Sequence, residues 1–475
     1  MSNAKFGMIG LGVMGRNFLL NVADSGFKCV GYDLDGEKVN ALNVEGKDFD
    51  VVGHKTLEGF LDSLESPRSI MLLVPAGRIV DAVIADLEPH LDPGDLIIDG
   101  GNSHFPDTER REKDLNDKGF EFLGVGVSGG AKGARLGPSI MIGGKRDVYD
   151  RVAPILEGVS ANVDGEPCAA YLGNGSSGHF VKMVHNGIEY AMMQLLCEAY
   201  DVMKRGLEMT NEEMSDAFSR WNKGRLNSYL TEITAEILRF KDPDSGEFLV
   251  EKILDTAGQK GTGRWTSEVA LEMGVPIPTI DSAVTMRQIS ALRTQRLDMS
   301  RVVGDLEQES PEAFVEFEVE PESIEGILLG GFLVSYAQGF SLLTEASKEK
   351  GYDLDFAEIA KIWRGGCIIR ADLLESFRGV FSDNPNIVNL LHDPEIAAAV
   401  AFNIDEFLEF SALAGVKRIP HMAFSSAYSY FNAFSSARLP ANLLQAQRDF
   451  FGSHTYQRAD KEGTFHTEWE AEGDK

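Results

Sequence analysis

A short apolar strand, a glycine-rich turn and a helix follow one another near the N-terminus, and this unit constrains the fold more than any other segment. The strand is predicted at 5–9, the turn reads GLGVMG from Gly10 to Gly15, and RNFLLNVADSG continues with helical periodicity. A second strand, 27–32, ends at Asp33. A lone glycine pattern is a weak signal, but this succession ending in an acid predicts a dinucleotide-binding unit.

The small residues of this turn have distinct physical roles in such a unit. Gly10 permits the tight turn, Gly12 lets the backbone approach a pyrophosphate at the helix N-terminus, and Gly15 lets the helix pack on the strand. Asp33 can accept hydrogen bonds from the hydroxyls of an adenosine ribose. The alternative interpretation is a glycine-rich turn that binds no ligand.

Further strand-like runs alternate with helical segments. The runs SIMLLV, DLIIDG, FEFLGVGV and PSIMIGG predict an α/β, Rossmann-like, doubly wound parallel sheet, whose ligands bind beyond the carboxyl ends of the strands. The loops that follow three of these runs are Val74-Pro75-Ala76-Gly77, Gly101-Asn102-Ser103 and Ser128-Gly129-Gly130. Each loop alone is an ordinary turn, but three at one sheet edge favour a site for a sugar hydroxyl or a carboxylate.

The segment 178–200, GHFVKMVHNGIEYAMMQLLCEAY, is predicted as one long helix because it has good helix formers and no proline. The helix is apolar on most of its surface, so we expect it to be buried beside a polar cavity. At about 100° per residue, one stripe of the helix carries its polar residues. They are Lys182, His185, Asn186, Glu189 and Tyr190.

Lys182 and Glu189 are the candidate acid–base pair. A lysine acts as a general base when burial or a nearby cation lowers its pKa from about 10.4 toward neutrality, and a glutamic acid acts as a general acid when burial raises its pKa. One apolar helix can do both. The alternative is a structural ion pair or two solvated surface charges.

The chain is predicted to stay helical from about residue 175 to 436 and contains a faint internal repeat. MQLLCEAYDVMKRG with SRWNKGRLNSYL resembles FSLLTEASKEKG with KIWRGGCIIRADLL. We therefore predict two copies of a several-helix unit, joined near the acidic stretch 305–325.

A glycine-punctuated break between helices, LDTAGQKGTGRWT, spans 254–266. Its Lys260 and Thr262, together with Arg287 on the following helix, could cradle a phosphate. Each of the three alone is more simply a solvated or capping residue.

The C-terminal tail has many aromatic side chains, which are unfavourable when exposed to water, and it is too short to bury them alone. Its sequence is ARLPANLLQAQRDFFGSHTYQRADKEGTFHTEW. We therefore expect it to dock on another surface. Arg448 and His454 lie on this tail; their simpler interpretations are an exposed charge and a core histidine.

Composition excludes several classes of function. A net charge of −29 and a pI near 4.7 argue against nucleic acid or an anionic membrane as the main partner, so an anionic substrate needs a local positive site. The four cysteines show no CxxC or Cys/His metal spacing, which predicts free thiols and a reducing compartment. Neither a signal sequence nor an 18-residue apolar run is expected, so the predicted location is cytoplasmic.

Seven collinear segments resemble one protein family. Over essentially its full length the chain is similar to 6-phosphogluconate dehydrogenase, the decarboxylating enzyme of the pentose phosphate route. The matching segments are GLGVMG, DGGNSHFPDT, GVGVSGGAKGARLGPSIMIGG, GHFVKMVHNGIEY, LDTAGQKGTGRWT, WRGGCIIR and RLPANLLQAQRDFFGSHTYQR.

The resemblance implies an N-terminal Rossmann domain over 1–177, an all-helical substrate and dimerisation domain formed by duplication over 178–436, and a tail, 437–475, that reaches the partner subunit of a homodimer. It implies oxidation of 6-phospho-D-gluconate at C3, loss of CO2 from C1 and tautomerisation to ribulose 5-phosphate. Lys182 matches the base that takes the C3 hydroxyl proton and then protonates the ketone. Glu189 matches the acid that delivers a proton to C1, and no metal is needed because the lysinium supplies the positive charge.

The family's binding residues also have counterparts here. By resemblance, the sugar acid is held by Asn102, Ser128, Gly129, Gly130, His185 and Asn186. Its phosphate group is held by Tyr190, Lys260, Thr262 and Arg287, joined by Arg448 and His454 from the neighbouring subunit. The cofactor-binding positions are Gly10, Leu11, Gly12, Val13, Met14, Gly15, Asp33, Val74, Pro75, Ala76 and Asn102.

The chain departs from the family's common pattern at the positions that determine specificity for NAD or NADP. NADP-dependent members usually follow the second strand with Asn-Arg-Thr, whose arginine pairs with the 2′-phosphate, whereas this chain reads Asp33-Leu34-Asp35. A carboxylate repels that phosphate, and no nearby arginine compensates. Pro75 also stands where a lysine is common. We therefore predict NAD as the cofactor, with NADP as the alternative.

Ala131-Lys132 is a second departure, because the family often has acids there, and it bears on fine substrate selectivity. Related β-hydroxyacid dehydrogenases are the alternative within enzymes; they share the fold and the catalytic lysine but generally lack the duplicated helical domain and the long tail. A non-catalytic nucleotide-binding protein is the alternative outside enzymes.

Overall fold

The six strands predicted in the N-terminal part all form in the computed structural model, which describes residues 3–259, 261–307 and 319–469. Two more strands, VVGH and AAY, join their sheet; they were not predicted, and they are only four and three residues long. The strands are β1 (Phe6–Ile9), β2 (Cys29–Tyr32), β3 (Val51–His54), β4 (Ser69–Leu72), β5 (Leu96–Asp99), β6 (Glu121–Val127), β7 (Ile140–Gly144), β8 (Asn162–Val163), β9 (Glu166–Pro167), β10 (Ala169–Tyr171), β11 (Tyr456–Gln457) and β12 (Thr464–Phe465).

The main sheet has a Rossmann-like order in which two strands, β7 and β10, run opposite to the other six. Within the described residues it contains eight strands in the order β10-β7-β6-β5-β4-β1-β2-β3. The strand order reverses at β1, between β4 and β2, which creates the crevice where doubly wound sheets bind ligands.

The predicted doubly wound sheet is observed and is parallel across β1–β6, but β7, which was expected to run parallel, pairs antiparallel to β6. The connection between these strands holds only a seven-residue helix, which spans about 10 Å. The seven residues of β6 span roughly 23 Å. Because the helix is too short to return the chain to the start of β6, the next strand runs back alongside it.

Successive side chains along each strand point to opposite faces of the sheet, and both faces are buried in apolar clusters. Phe6 and Met8 point into one apolar cluster, while Ile9 packs with Ile70 and Ile97 in the cluster on the other face. The period of two along β1 follows from strand geometry. Covering both faces with helices explains why the central strands read as continuous apolar runs.

The helices confirm the predicted change of architecture after the sheet, and the long helix is observed at Ser177–Asp201. The helices are α1 (Val13–Asp24), α2 (Gly36–Glu45), α3 (Leu57–Asp62), α4 (Arg78–Leu87), α5 (Phe105–Asn116), α6 (Gly130–Leu136), α7 (Arg146–Val159), α8 (Ser177–Asp201), α9 (Asn211–Trp221), α10 (Tyr229–Arg239), α11 (Thr262–Glu272), α12 (Pro278–Ala291), α13 (Arg293–Glu307), α14 (Pro321–Lys350), α15 (Phe356–Trp363), α16 (Leu373–Asp383), α17 (Pro394–Ala401), α18 (Ile404–Val416), α19 (Met422–Phe434) and α20 (Ala441–Gly452).

The helical part is built from two similar units. The long helices α8 and α14 pack on each other, and each is followed by two shorter helices that contact one another. The first shorter helix of each unit ends at a buried tryptophan, Trp221 or Trp363. The loops after these tryptophans meet in an antiparallel bridge between Ser228 and Ala371, which supports the predicted duplication. Of the acidic stretch near the join, 308–318 lies outside the described residues.

Helix α14 is long and apolar enough to cross a membrane by length and composition, although Ser335 and Gln338 interrupt its apolar residues, so it holds no 18-residue apolar run. Its most apolar 18-residue window is 89% buried inside the protein. A buried core helix of a globular protein meets the same criterion, and α14 packs against α8, α17 and α18.

The chain divides into two compact units, Met1–Ala427 and Tyr428–Lys475. In the second unit, the carboxylate of Asp449 is fully buried. It accepts hydrogen bonds from the backbone N–H groups of Thr455 and Thr467 and from the indole of Trp469. This carboxylate therefore joins the end of α20 to the segment that follows it.

Candidate active site

The turn between β1 and α1 has the backbone shape that a pyrophosphate requires. Gly10 adopts a left-handed conformation with φ +97°, and a Cβ on Gly15 would overlap the carbonyl oxygen of Gly10. A Cβ on Gly12 would meet nothing within 4 Å. Open space therefore lies before the N-terminus of α1 at the point where the strand order reverses, which is where doubly wound sheets bind dinucleotides.

Asp33 is fixed at the end of β2 by backbone donors. Its carboxylate accepts from the N–H of Leu11 at 2.8 Å and from the N–H of Asp35 at 2.9 Å. The Lys38 ammonium lies 3.5 Å from Asp33 and 3.8 Å from Asp35. The sequence analysis considered only arginines as compensating charges, whereas Lys38 partly neutralises the carboxylates of Asp33 and Asp35.

A cavity of about 1040 Å³ lies where two of the three predicted loops meet the helical part. We call residues 74–77 the cofactor loop and residues 101–103 the Asn102 loop. The residues that line the cavity are Pro75, Ala76, Gly77, Gly101, Asn102, His104, Asp107, Asn186, Glu189, Tyr190, Gly258, Gln259, Thr262, Trp265 and Arg287. Predicted cofactor and substrate residues thus share one space.

Asn102 is held in a left-handed backbone conformation, φ +53°. Its side-chain amide donates to the carbonyl of Val127 and accepts from the N–H of the same residue, both at 3.0 Å. This pair of bonds ties the Asn102 loop to the end of β6. The backbone strain of a non-glycine residue in this region is thereby offset by fixed hydrogen bonds.

The Lys182 side chain is buried and its ammonium contacts polar neutral groups. Nζ lies 3.3 Å from Ser128 Oγ, 3.3 Å from His185 Nδ1 and 2.5 Å from Asn186 Oδ1. Burial lowers the pKa of Lys182 from its ordinary value, although the Glu189 carboxyl opposes this shift. Lys182 is therefore easier to deprotonate than a lysine in water.

Glu189 lies one helical turn beyond His185 and lines the cavity. Burial raises the pKa of the Glu189 carboxyl, while Lys182 and Arg287 oppose the shift. Its oxygen is 3.9 Å from His185 Nδ1. Burial and the neighbouring lysine keep the pKa of His185 well below its ordinary value, so the imidazole between the two groups is neutral at pH 7.

The other predicted residues of the cavity join α8 to the later helices. Asn186 Nδ2 donates to Thr262 Oγ1 at 3.0 Å, and Thr262 is the first residue of α11. The guanidinium of Arg287 lies 3.3 Å from the centre of the Tyr190 ring, a close cation–π contact. Lys260 lies outside the described residues.

The third predicted loop, 128–130, contacts the catalytic candidates through Ser128. Ser128 Oγ is 3.4 Å from His185 Nε2 as well as near Lys182. Gly129 has φ +101°, and a Cβ there would lie 2.5 Å from the Gly366 carbonyl oxygen. Only glycine fits at position 129, because the loop packs closely against the backbone of Gly366, which follows α15.

Arg448 and His454 belong to the second compact unit, on α20 and just after it. Both are exposed. Arg448 donates to Gln445 of its own helix at 3.0 Å, and His454 makes an edge contact with the ring of Phe451.

His104 and Trp265 are cavity residues that the sequence reasoning missed. Their rings stack with centroids 4.5 Å apart and an interplanar angle of 23°. His104 directly follows the Asn102 loop, so its place in the chain was a usable signal. Trp265 lies on α11, and nothing in the local pattern separates it from a core tryptophan.

The arrangement combines a lysine of lowered pKa, a carboxyl group of raised pKa and neutral hydrogen-bonding groups between them. Such a pair can accept a proton from a hydroxyl and donate one to a carbon. The described residues contain no group of three or more His, Cys, Asp or Glu side chains arranged to hold a metal ion. Lys182 and Glu189 offer acid–base chemistry by their own side chains.

Two family models match the chain. The NAD binding domain of 6-phosphogluconate dehydrogenase matches residues 5–173. The C-terminal domain of 6-phosphogluconate dehydrogenase matches residues 178–469.

Individual proteins are similar over nearly the whole length. The NADP(+)-dependent, decarboxylating 6-phosphogluconate dehydrogenase of Bacillus subtilis (strain 168) is 47% identical over 472 residues, 99% of this chain and 100% of the relative. The decarboxylating enzyme of Escherichia coli (strain K12) is 47% identical over 470 residues, with the same coverage. The solved 6-phosphogluconate dehydrogenase of Plasmodium falciparum has a TM-score of 0.92 and 42% identity, covering 98% of this chain and 100% of that one.

Proposed function

The chain belongs to the 6-phosphogluconate dehydrogenase family, and we propose that it converts 6-phospho-D-gluconate to D-ribulose 5-phosphate and CO2 with NAD as the preferred electron acceptor. The observation that carries this proposal is the pair on α8. Burial lowers the pKa of Lys182 and raises the pKa of Glu189 beside one cavity.

Lys182 acts first as the base. Neutral Nζ accepts the proton of the C3 hydroxyl as the hydride leaves C3; a bound nicotinamide would supply the hydride acceptor. Ser128 and Asn186 hold Nζ by the contacts described above, so the amine is oriented before the substrate arrives.

Lys182 then acts as an acid. Lysinium donates its proton to the C3 ketone oxygen as the C1–C2 bond breaks, CO2 leaves, and the bonding electrons form the enediol. Glu189 next protonates the carbon that was C2 and becomes C1 of ribulose, while the enediol hydroxyl proton returns to Lys182. A positive charge placed against the developing oxyanion stabilises this step without a metal.

The remaining cavity residues bind the substrate. Asn102, the 128–130 loop, His185 and Asn186 contact the sugar acid in this proposal. Tyr190, Lys260, Thr262 and Arg287 hold the phosphate group, and in a homodimer the partner's Arg448 and His454 complete that site. Arginine and lysine side chains supply the local positive charge that a protein of net charge −29 needs to bind an anion.

The preference for NAD rests on the residues after β2. A 2′-phosphate would meet the carboxylates of Asp33 and Asp35 and the ammonium of Lys38, so the local charge is negative before the phosphate arrives. The Leu34 side chain is 90% exposed and offers no donor. The Bacillus subtilis relative is named NADP(+)-dependent and the Plasmodium falciparum structures include a complex with NADP+, so cofactor choice is the point where this chain is expected to differ.

The test is the ratio of kcat/KM with NAD to kcat/KM with NADP, at saturating 6-phosphogluconate. We expect a ratio above one for the wild type. The double variant Asp33→Asn, Leu34→Arg should shift the ratio toward NADP by at least about tenfold. The first substitution removes a repulsive negative charge, and the second adds an arginine that can bind the 2′-phosphate. Leu34→Met is the matched control and should leave the ratio unchanged; a wild type that prefers NADP would overturn the NAD assignment.

A further inference from the structure

A buried arginine outside the cavity connects the loops that line it. Arg111 on α5 is 2% exposed. Its guanidinium donates from Nη1 to Asp99 Oδ2 at 3.0 Å and to Ser103 Oγ at 2.9 Å, and from Nη2 to the Gly77 carbonyl at 3.0 Å. Its Nε donates to Asp81 Oδ1 at 2.8 Å. One planar group thus binds the cofactor loop, the Asn102 loop, α4 and β5.

The carboxylate of Asp99 is the second half of this cluster. Asp99 is the last residue of β5 and is fully buried. Its Oδ1 accepts from the N–H of Gly101 at 3.0 Å, and its Oδ2 accepts from Ser103 Oγ at 2.7 Å. The carboxylate therefore fixes the residues on either side of Asn102, whose own side chain is bound to Val127.

The two loops are in close contact, so a small displacement of one would move the other. A Cβ added to Gly101 would lie 2.8 Å from the carbonyl oxygen of Val74. Pro75 and Asn102, which face the cavity, lie directly beyond this contact. Arg111 and Asp99 do not line the cavity themselves, so their charges act through the loops.

We propose that Arg111 and Asp99 are positioning residues that fix the spacing between the cofactor loop and the Asn102 loop, and hence between nicotinamide and C3 of the substrate. This inference rests on the proposed function, because that function places the dinucleotide at the first loop and the sugar acid at the second. Neither residue was singled out by the sequence. The fork of a guanidinium suits this role because its donors are fixed in one plane and can reach several acceptors at once.

The first test is Arg111→Lys in the full-length enzyme. A single ammonium cannot reach Asp99, Gly77 and Asp81 together, so the loops lose their fixed spacing while the charge remains. We expect weaker NADH binding, measured by fluorescence titration without substrate, and a fall in kcat of about 10- to 100-fold. The KM for 6-phosphogluconate should change by less than about threefold. The isotope effect with substrate deuterated at C3 should increase, because hydride transfer is the step that is slowed.

Arg110→Met is the matched control. Arg110 is the neighbouring residue on α5, its side chain is 49% exposed, and it pairs with Asp81 and Asp107 on the surface. Removing it deletes a positive charge from the same helix without touching the loops, so NADH affinity and kcat should stay within about twofold of the wild type.

Ser103→Ala is a milder variant for the case that Arg111→Lys does not fold. It removes one hydroxyl and leaves the pair of Asp99 and Arg111 intact. We expect NADH affinity, kcat and the isotope effect to change in the same direction as in Arg111→Lys, but by less.

Folded variants whose NADH affinity, kcat and isotope effect all match those of Arg110→Met would overturn the positioning role. If the wild type does not turn over 6-phosphogluconate, the proposed function fails, whereas weaker NADH binding by Arg111→Lys alone still supports the role of Arg111.

Discussion

At the scale of single residues, burial shifts the two titrating groups of α8 in opposite directions. It lowers the pKa of Lys182 and raises that of Glu189, which brings an amine and a carboxyl group nearer to neutral pH from opposite sides. A lysine at the protein surface would remain protonated and could not serve as a base.

The predicted consequence is a bell-shaped dependence of kcat/KM on pH. Activity falls on the acid side because Lys182 becomes protonated, and on the alkaline side because Glu189 loses the proton that it must donate. Glu189→Gln should lower kcat by about 10² to 10⁴ and abolish the alkaline fall, while Lys182→Arg should be nearly inactive at every pH. A Glu189→Gln enzyme that keeps the alkaline fall would exclude this assignment.

The sequence predicts some contacts of the site and not others, for physical reasons. The polar stripe of α8 follows from helical periodicity, so Lys182, His185 and Glu189 were found by spacing alone. Lys38, by contrast, reaches Asp33 only because α2 starts directly after β2. The stack of His104 on Trp265 joins elements about 160 residues apart, and no local pattern encodes such a contact.

At the scale of elements, the turn between β1 and α1 shows how strands and helices fix the cofactor site. The alternation of strands and helices was enough to predict the sheet and its binding edge. The direction of β7 was not predicted, because it depends on how far the short helix α6 can carry the chain.

Two glycine variants of this turn should separate folding from binding. Gly12→Ala places its methyl group in open space, so the melting temperature should change little while NADH affinity falls at least about tenfold, because the backbone approach to the pyrophosphate is blocked. Gly15→Ala forces a methyl group onto the Gly10 carbonyl and should lower the melting temperature by several degrees. Thermal unfolding and fluorescence titration measure the two effects; equal melting temperatures for both variants would contradict the different roles assigned to Gly12 and Gly15.

At the scale of the whole molecule, we propose that a second chain completes the site. Lys182 and Glu189 lie in the first compact unit, while Arg448 and His454 lie in the second. Exposed apolar side chains of the second unit, among them Leu443, Phe450 and Phe451, are consistent with a tail that docks on another surface.

Mixing two inactive variants tests whether sites are shared. Subunits with Lys182→Met have an unmodified C-terminal tail, and subunits with Arg448→Met and His454→Ala have an unmodified acid–base pair. In a mixed dimer, one site receives both intact parts, so co-expression in equal amounts should restore about a quarter of wild-type activity if pairing is random. Activity no higher than that of either variant alone would mean that each tail serves its own subunit, and a truncation before Arg438 with unchanged substrate affinity would lead to the same conclusion.

The most direct test of the central claim is the fate of carbon 1. 6-Phosphogluconate labelled with ¹³C at C1 is incubated with NAD and followed by NMR and by absorbance at 340 nm. The proposed function predicts labelled CO2, NADH and unlabelled ribulose 5-phosphate in equal amounts, and none of the three with Lys182→Met. NADH formed without labelled CO2, or no turnover with either NAD or NADP, would contradict it.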